Sequence, residues 1–419
     1  MISSKLNFIE KFKRKLFPFY NAKEIVEVFN IFEKDHPKNK KIVMFVGGCV
    51  RNYLSNQKID DIDLASILSP MEIKDKFKNT NIRVVETGVE HGTVTLLYEK
   101  KKFEVTTLRK DIKTDGRHAE VLFTDDWQED SNRRDFTINS IYMNRNGKIF
   151  DPQNGVKDLK NNFIKFIGDP TQRIEEDYLR IIRFIRFSIQ YQSTIEDTTL
   201  DAIKLNLNGI KLLSKERILN ELFKILKLNK FNEINENQKL NNLFLLIFPE
   251  FRYLQRLKMK SLFFQSIIFK IEIILAIILL DGSSNHEYFC HKYKTSNQLK
   301  KKLDFYAMNI EKFKLDKNYF KKDLKKNIYF EGKDKILDLN LLNFFINKKI
   351  NYKIYSEVKS EIIKTSLPKF PYDGKMLQKK GVKEGKKIGL LLKELELAWI
   401  ENYFNLSEKS TKEIINKFN

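Results

Sequence analysis

Asp61 and Asp63, in the run Ile59–Leu64, are spaced so that both could bind the same divalent cation. In a β-strand alternate side chains lie on one face, so the two carboxylates would point together while Ile62 and Leu64 pack on the other face. Like charges at this distance repel unless a cation lies between them, and paired oxygen ligands suit Mg²⁺. A solvated acidic turn is the alternative for such a pair in isolation.

A third acidic residue, Glu104, lies in the run Phe103–Arg109, where it alternates with apolar neighbours. This alternation predicts a strand. If that strand lies next to the one carrying Asp61 and Asp63, Glu104 could be a third acidic group of the site, and we predict a catalytic role for it. On an edge strand it would be a surface charge.

The segment before the aspartates has the features of a phosphate-binding turn. An apolar strand ending at Val46 is followed by Gly47-Gly48 and then by a predicted helix that contains Arg51. Glycines let backbone amides approach an anion, and a helix N-terminus favours negative charge, so we predict that Gly48 and Arg51 bind phosphate. The segment has neither a Walker A loop nor a G-x-G-x-x-G pattern, and a tight turn without a ligand explains it equally well in isolation. Its position directly before Asp61 favours the functional interpretation of both motifs.

The third motif places two arginines beside an aspartate, as Arg133-Arg134-Asp135. Guanidinium groups bind phosphate oxygens through bidentate hydrogen bonds, and a carboxylate can accept a hydrogen bond from a ribose hydroxyl. We predict nucleotide binding by all three residues. A surface cluster of ion pairs is the alternative interpretation.

The fourth motif lies on a predicted helix, Asp177–Gln190, with apolar residues at helical spacing. One half of this helix carries charged residues, namely Asp177, Arg180, Arg183 and Arg186, and the other half carries Tyr178, Ile181, Ile182 and Ile185. Asp177 and Arg180 are neighbours at i, i+3 and together offer acceptors and donors that could pair with the edge of a base. A helix stabilised by its own ion pair is the alternative.

The elements around these motifs predict a mixed α/β region followed by a helical one. Strands are expected at Lys41–Val46, Val94–Tyr98 and Phe103–Leu108, with a hairpin around Asn146-Gly147. After Asp151 the pattern is helical, and Ser214 is the expected N-cap of a helix that runs to Leu228. We find no internal repeat.

Composition limits the class of protein and its partners. The 419 residues allow two or three domains, and a formal net charge of +22 favours an anionic partner, either nucleic acid or a membrane surface. A general excess of Lys, Asn and Ile is the alternative explanation. The longest apolar stretch, Leu262–Leu280, is interrupted by polar residues and predicts a buried helix, so no membrane association is expected. Two cysteines, Cys49 and Cys290, exclude a disulfide framework and favour a reducing, cytoplasmic setting.

The four motifs, in this order, resemble the class II tRNA nucleotidyltransferase and bacterial poly(A) polymerase family, within the polymerase-β-like nucleotidyltransferases. The likeness extends from Ile42 to Leu226 and also includes Asp151-Pro152 with Asp158, similar to the family's hinge, and Leu213-Ser214 with Glu221. Three further segments are similar to the CCA-adding branch, namely Gly88–Thr93, Lys110–Glu120 (similar to a flexible loop used in adding the final A), and a C-terminal segment with Gly374, Leu377, Gly381, Gly385, Gly389 and Trp399.

This resemblance implies an α+β fold, with a polymerase-β-like head built on a small mixed sheet and an all-α neck, body and tail. The implied domains are an N-terminal extension (1–22), the catalytic head (23–150), the neck with the nucleotide-reading helix (151–212), the body (213–295) and a basic RNA-binding tail (296–419). The implied function is template-independent addition of CCA to the 3′ end of tRNA from CTP and ATP, with release of pyrophosphate. Poly(A) addition, addition of only CC or only A, and a non-catalytic RNA-binding protein are the alternatives.

The resemblance also assigns roles to residues. Asp61 and Asp63 would hold two Mg²⁺ ions, which would activate the RNA 3′-hydroxyl and neutralise the triphosphate. Gly48, Arg51 and Arg134 would bind the triphosphate, Asp135 the ribose, and Asp177 with Arg180 the base edge, while Arg183 and Arg186 would support that helix or bind phosphate. The oligomeric state is not predicted.

Two features depart from, or lie outside, this pattern. Asn52 replaces the aspartate usual in the family, so it can keep a hydrogen bond but not a charge. His286, Cys290 and His291 form a cluster of metal-capable side chains. We do not count this cluster as a metal site, because no second pair of ligands accompanies it.

Overall fold

The computed structural model describes residues 18–37, 39–115, 118–265, 267–316, 318–379, 382 and 386–417, with the backbone alone for residues 111–115, 118–120 and 386. The predicted residues Gly381 and Gly385, and most of the N-terminal extension, lie outside these ranges. The nine strands are β1 (Val43–Val46), β2 (Ile62–Ser66), β3 (Arg83–Gly88), β4 (Thr93–Tyr98), β5 (Lys101–Thr107), β6 (Arg109–Asp115), β7 (His118–Phe123), β8 (Tyr142–Met143) and β9 (Ile149–Phe150).

In the described part of the chain, seven strands form one mixed sheet in the order β3-β4-β5-β2-β1-β8-β9. β2 pairs antiparallel with β1 and parallel with β5, so the predicted small mixed sheet is confirmed. The predicted hairpin is present, because β8 pairs with β9 and Gly147 adopts a left-handed φ of 78°. Strand β1 is buried along its whole length, as its apolar sequence requires.

Four helices cover or follow this sheet, namely α1 (Lys23–Glu33), α2 (Gly48–Leu54), α3 (Pro70–Phe77) and α4 (Trp127–Asn132). Helix α1 buries Ile25, Val28, Phe29 and Phe32 at helical spacing, and the ring of Phe29 packs 4.7 Å from that of Phe45 in β1. Helix α3 begins with a capping box in which Ser69 and Glu72 exchange hydrogen bonds. The sheet therefore has a packed apolar core that fixes the strand carrying Asp63.

The rest of the chain is helical, as predicted. Its helices are α5 (Gly155–Lys160), α6 (Pro170–Glu176), α7 (Leu179–Tyr191), α8 (Asp197–Asn206), α9 (Lys215–Leu226), α10 (Gln238–Ile247), α11 (Lys258–Phe263), α12 (Ile271–Leu279), α13 (Asn285–Tyr293), α14 (Asn297–Leu315), α15 (Leu324–Glu331), α16 (Lys333–Ile346), α17 (Tyr352–Lys364), α18 (Gly374–Lys379), α19 (Lys386–Glu401) and α20 (Glu408–Asn416). Ser214 caps α9 as predicted, with its hydroxyl accepting from the amide of Arg217 at 3.3 Å.

Two predicted helix boundaries are wrong. The helix expected to start at Asp177 starts at Leu179, because Asp177 has an extended backbone (φ −157°) and its carboxylate accepts the Leu179 amide at 3.1 Å. The apolar stretch Leu262–Leu280 is not one helix but contains the end of α11 and the separate α12. Helix α12 is buried from Ile273 to Leu279, as its composition requires.

The chain divides into two compact units, one of Met1–Ile271 with Lys292–Lys294 and the other of Glu272–His291 with Thr295–Asn419. The second unit includes a core cluster of Leu377, Val382, Leu391, Leu395 and Ile415. The predicted boundaries of neck, body and tail stay predictions. Among the described residues, no helix has both the length and the apolar character needed to cross a bilayer. The cytoplasmic location also stays a prediction.

Candidate active site

One open cavity of about 710 Å³ in the first unit brings together the four sequence motifs. Its lining includes every predicted site residue except Glu104, namely Gly48, Arg51, Asp61, Asp63, Arg133, Arg134, Asp135, Asp177, Arg180, Arg183 and Arg186. These residues come from α2, from β2 and the residue just before it, from the segment after α4, and from α7 and the residues just before it. The motifs are therefore neighbours in space, although their individual roles stay predictions.

The acidic side of the cavity is built by β2 and the turn after β1. Asp63 lies in β2 and Asp61 just before it, so the period of two places both carboxylates at the cavity. Gly47 has a φ of 67°, a left-handed conformation that favours glycine, and a Cβ at Gly48 would lie 3.6 Å from the Oδ2 atom of Asp63. Burial, reinforced by the negative charges of Glu104 and Asp61, raises the pKa of Asp63 to about 6.

Glu104 lies beside Asp63 but does not line the cavity. β5 runs parallel to β2, and Glu104 is the register partner of Asp63. Its side chain is about half exposed, and one carboxylate oxygen lies 3.7 Å from Nζ of Lys102. The prediction of an adjacent strand is thus confirmed, whereas the catalytic role of Glu104 stays a prediction.

Arg51 is buried where α2 meets α7. Its Nε donates to the Tyr191 hydroxyl at 2.9 Å, and a second nitrogen donates to the Asn139 side-chain oxygen. The guanidinium carbon lies 4.8 Å from the centre of the Phe187 ring. These contacts fix the guanidinium at the cavity edge. Asn52, which replaces the aspartate usual in the family, lies on the same helix. Its side-chain amide donates to the Lys58 carbonyl oxygen at 3.0 Å, a contact with the backbone and not with Arg51.

Arg133 and Arg134 share one buried counter-ion, Asp130. The Asp130 side chain is fully buried, with Oδ1 2.7 Å from Arg133 and Oδ2 2.8 Å from Arg134. Its Oδ2 also accepts from the Tyr142 hydroxyl at 2.7 Å. Burial alone would raise the pKa of Asp130, but the charges of Arg134 and Arg133 hold it well below its usual range. Asp130 therefore fixes both guanidinium groups.

Asp135 is also held by protein groups. Its Oδ1 accepts from the Phe136 amide at 2.9 Å and from the Asn139 side chain at 2.8 Å, and its Oδ2 accepts from Nε of Arg183 at 2.7 Å. Burial opposes ionisation, but the charge of Arg183 and the hydrogen bond from Asn139 lower the pKa of Asp135 to about 2.

The residues predicted to read the base are arranged by two ion pairs. Asp177 Oδ2 accepts from Nη2 of Arg217 on α9 at 2.7 Å. Arg180 donates to the Glu176 carboxylate and, at 2.7 Å, to the carbonyl oxygen of Arg173. Asp177 and Arg180 remain neighbours, because the Arg180 amide donates to the Asp177 carbonyl oxygen at 3.0 Å, but their side chains pair with different groups.

Arg186, the last member of the charged half of α7, pairs with a carboxylate on another helix. Its Nε donates to Oε2 of Glu221 at 2.7 Å, and its guanidinium carbon lies 4.0 Å from the Phe187 ring centre. Burial opposes ionisation of Glu221, yet the charges of Arg186 and Lys224 keep its pKa below the usual value. The charged face of α7 is therefore ordered by α9.

Sequence reasoning missed several residues of the cavity and its supports, namely Arg109, Asp130, Asn139, Glu176, Tyr191, Arg217, Glu221 and Lys224. Asn139, Glu176 and Arg217 lie within four residues of the recognised motifs, and Glu221 was named in the resemblance without a role at the site. Asp130 precedes Arg134 by one helical turn, a spacing typical of ion pairs. Tyr191 offered no local signal.

The segment Lys110–Glu120, similar in sequence to a flexible loop, has an ordered backbone on either side of its centre. It forms most of the two-stranded sheet of β6 and β7, in which Arg109 pairs with Phe123. Residues 116 and 117 at its centre lie outside the described residues. A role of this hairpin in adding the final A stays a prediction.

Comparisons with known proteins agree with this arrangement. Residues 43–165 match the Poly A polymerase head domain, and residues 194–254 match the probable RNA and SrmB-binding site of polymerase A. The chain is 33% identical over 418 residues to the human mitochondrial CCA tRNA nucleotidyltransferase 1, across 91% of this chain and 88% of the human protein. It is 36% identical over 315 residues to a CCA-adding enzyme of Staphylococcus haemolyticus, across 74% of this chain and 75% of that enzyme.

The fold is similar to solved structures as well. The CCA-adding enzyme of Bacillus stearothermophilus in complex with CTP superposes with a TM-score of 0.67 at 21% identity, over 90% of this chain and 93% of that one. This likeness shows the fold, while the more similar sequences show the family. The chain belongs to the class II family of tRNA nucleotidyltransferases and bacterial poly(A) polymerases.

Proposed function

We propose that this protein adds CCA to the 3′ end of tRNA, using CTP and ATP and releasing pyrophosphate. The observation that carries the proposal is the single cavity in which Asp61 and Asp63 face Arg134, Asp177 and Arg180. One pocket thus offers cation ligands, phosphate-binding cations and base-edge donors and acceptors. Relatives named as CCA-adding enzymes, which align along most of the chain, support the same activity.

A divalent cation fits the acidic side of the cavity, and Mg²⁺ is the ion we propose. The donors at the cavity, Asp61 and Asp63, are carboxylates, and hard oxygen ligands suit Mg²⁺. Burial, reinforced by the charges of Glu104 and Asp61, raises the pKa of Asp63, and a bound cation would favour its ionised form. When bound, the metal would supply activation of the 3′-hydroxyl and charge stabilisation for the triphosphate.

The remaining work of the site is to position the nucleotide, because phosphoryl transfer depends on positioning and charge stabilisation. Arg51 and Arg134, fixed by Asn139 and Asp130, would bind triphosphate oxygens beside the backbone of Gly48. Arg133 would add a second cation on the same anchor.

The base would be read by side chains of the protein instead of a nucleic-acid template. Asp177 would accept a hydrogen bond from the exocyclic amino group that both cytosine and adenine carry, and Arg180 would donate to a ring acceptor. Asp135 would orient the ribose side of the site through Arg183 and Asn139. Arg183 and Arg186 would hold the helix that presents these groups.

The RNA would be bound mainly through charge. The net charge of +22 and the lysine-rich helices after residue 296 suit a phosphate backbone. Some aromatic residues there are exposed, among them Phe330 and Tyr403, and these could stack on unpaired bases. Contacts of this region with tRNA are part of the proposal.

The test is nucleotide addition to a tRNA that ends at its discriminator base, with Mg²⁺ and CTP, ATP or both, followed by sequencing of the 3′ end. We expect CC from CTP alone and CCA from the mixture. Runs of A on many RNAs would instead indicate a poly(A) polymerase. Addition of only CC or only A would indicate a partial enzyme, and RNA binding without incorporation would indicate a non-catalytic RNA-binding protein.

A further inference from the structure

A second cluster of metal-capable side chains lies in the other compact unit, where α13 and α14 are neighbours in sequence. His286 and Glu287 stand at the start of α13, and Asp304 lies in α14. One ligand atom from each of the three side chains lies within 4.8 Å of the other two. We propose that these three residues form a binding site for a divalent transition-metal ion such as Zn²⁺, separate from the catalytic metal site.

The histidine is the strongest indication of a ligand. Its side chain is only 6% exposed, and within the described residues its buried Nδ1 has no hydrogen-bond partner. The other ring nitrogen, Nε2, lies 3.4 Å from Oδ1 of Asp304. A buried polar atom without a partner is costly. A metal ion that accepted the lone pair of Nδ1 would therefore remove a penalty already present in the fold.

Asp304 divides its two oxygens in a way that leaves one for a metal. Oδ2 lies 2.7 Å from Nζ of Lys300, one helical turn earlier. Oδ1 is buried and, among the described residues, has no hydrogen-bond partner. The lysine therefore orients the carboxylate and leaves Oδ1 directed toward His286.

A cavity of about 330 Å³ opens at this cluster and gives an ion access to it. Its lining includes His286, Glu287 and Asp304 together with Ser283 and Glu311. Glu287 is exposed, so its side chain can rotate toward an ion that His286 and Asp304 bind from within. Glu311 lies two helical turns after Asp304 on α14 and offers a further carboxylate at the same opening.

The chemistry of these donors selects the class of metal. One imidazole with two carboxylates suits Zn²⁺ and other first-row divalent ions better than Mg²⁺, which prefers oxygen ligands. This set of ligands shares only His286 with the sequence cluster of His286, Cys290 and His291. His291 is exposed, and burial raises the pKa of the Cys290 thiol, which favours its neutral form. A simple ion pair between His286 and Asp304 is the competing explanation, and it leaves Nδ1 of the ring unsatisfied.

The test uses the full-length chain with Asp61→Ala and Asp63→Ala, so that the catalytic carboxylates bind no metal. After removal of metals with a chelator, Zn²⁺ is titrated against a chromophoric competitor. We expect one equivalent of Zn²⁺ to bind, and a rise in the thermal unfolding midpoint on its addition. His286→Gln and Asp304→Asn should each weaken the binding at least about tenfold, as even the loss of an outer-sphere partner does. His291→Ala, on the same helix and exposed, is the matched control and should leave the affinity unchanged.

Two results would overturn the proposal. One is the absence of a stoichiometric Zn²⁺ equivalent, and the other is an affinity that His286→Gln and Asp304→Asn leave intact or that His291→Ala lowers as much as they do. If a buried variant fails to fold, as judged by its thermal unfolding, Glu287→Gln replaces it, because Glu287 is exposed. This variant should also weaken Zn²⁺ binding about tenfold, and unchanged affinity would contradict the site.

Discussion

The two sides of the candidate active-site cavity differ in how their carboxylates are surrounded. On the aspartate wall, defined as Asp61 and Asp63, burial and the charges of Glu104 and Asp61 raise the pKa of Asp63 in spite of the charges of Arg134 and Arg51. The arginine wall is the part of the cavity lined by Arg133, Arg134, Arg180, Arg183, Arg186 and Arg217. Its guanidinium groups pair with carboxylates at or behind the cavity surface, namely Asp130, Asp135, Glu176, Asp177 and Glu221. Where a shift is resolved there, the pKa is lowered.

The carboxylates of the arginine wall are paired within the protein, whereas those of the aspartate wall are available to a bound cation. Although the guanidinium groups of the arginine wall outnumber its carboxylates, this pairing positions the side chains before a nucleotide arrives. On the aspartate wall, burial and the neighbouring carboxylates oppose ionisation of Asp63, and a bound cation would offset this penalty. Changes to the two walls should therefore have different consequences, for incorporation on one side and for folding on the other.

The largest effect is expected from the aspartate wall. Asp63→Ala should lower the single-turnover rate of CTP incorporation by more than about a thousandfold, because charge stabilisation of the transferring phosphoryl group would be lost. Stability should be unchanged or slightly raised, since the substitution removes a carboxylate whose ionisation burial opposes. The rate is measured by rapid quench with labelled CTP, and RNA binding by filter retention should be retained.

Asp60→Ala is the matched control for this experiment. Asp60 is the preceding carboxylate, it is about half exposed, and it pairs with Lys58 at 2.6 Å outside the cavity lining. It should keep a nearly wild-type rate. Survival of incorporation in Asp63→Ala would show that the metal assignment is wrong.

On the arginine wall the larger effect should be on folding. Asp130→Asn leaves two guanidinium groups without their buried counter-charge, and we expect the free energy of unfolding to fall by about 3 kcal/mol. Urea denaturation measures this loss. Asp125→Asn, an exposed aspartate just before α4, should change it by less than about 0.5 kcal/mol. Equal stability of the two variants would mean that Arg133 and Arg134 need no fixed partner.

The contrast also explains how far the sequence predicted the site. Features that depend on a few adjacent residues were predicted well. Examples are the Ser214 cap, the Asn146-Gly147 hairpin, and the placement of the Asp61 and Asp63 carboxylates on the same side of the strand. Local geometry determines each of these, and the aspartate wall is built from such features.

The arginine wall depends on contacts between distant parts of the chain, which periodicity does not reveal. Asp177 pairs with Arg217, 40 positions later, and Arg51 with Tyr191, 140 positions later. The start of α7 was predicted two residues too early for a different, local reason, since Asp177 has an extended backbone and its side chain accepts the Leu179 amide. A pattern of ion pairs could be anticipated from the charges, but not which partners form it.

A smaller effect is expected at the anchor of the base-reading aspartate. Arg217→Gln removes the 2.7 Å contact that holds the Asp177 carboxylate. Because the carboxylate would then be misoriented toward the base, kcat/KM for CTP should fall about tenfold. Discrimination against UTP should fall at the same time, which a purely structural defect would not cause. Lys215→Gln, outside the cavity lining on the same helix, is the control. Unchanged discrimination would mean that Arg217 does not position Asp177.

The smallest effect concerns the pH dependence of stability on the arginine wall. The pKa of Asp135 is lowered from 3.8 to about 2 in the folded protein, so its ionised form stabilises the fold above the unfolded value, and this contribution is lost as the pH falls toward the folded value. The difference in unfolding free energy between the wild type and Asp135→Asn should therefore narrow by about 1 kcal/mol from about pH 6 to about pH 3. Urea denaturation at several pH values measures this difference, and Asp125→Asn should keep a constant offset from the wild type. A constant offset for Asp135→Asn would instead mean that Asp135 titrates alike in both states, and the contrast between the two walls would not extend to this residue.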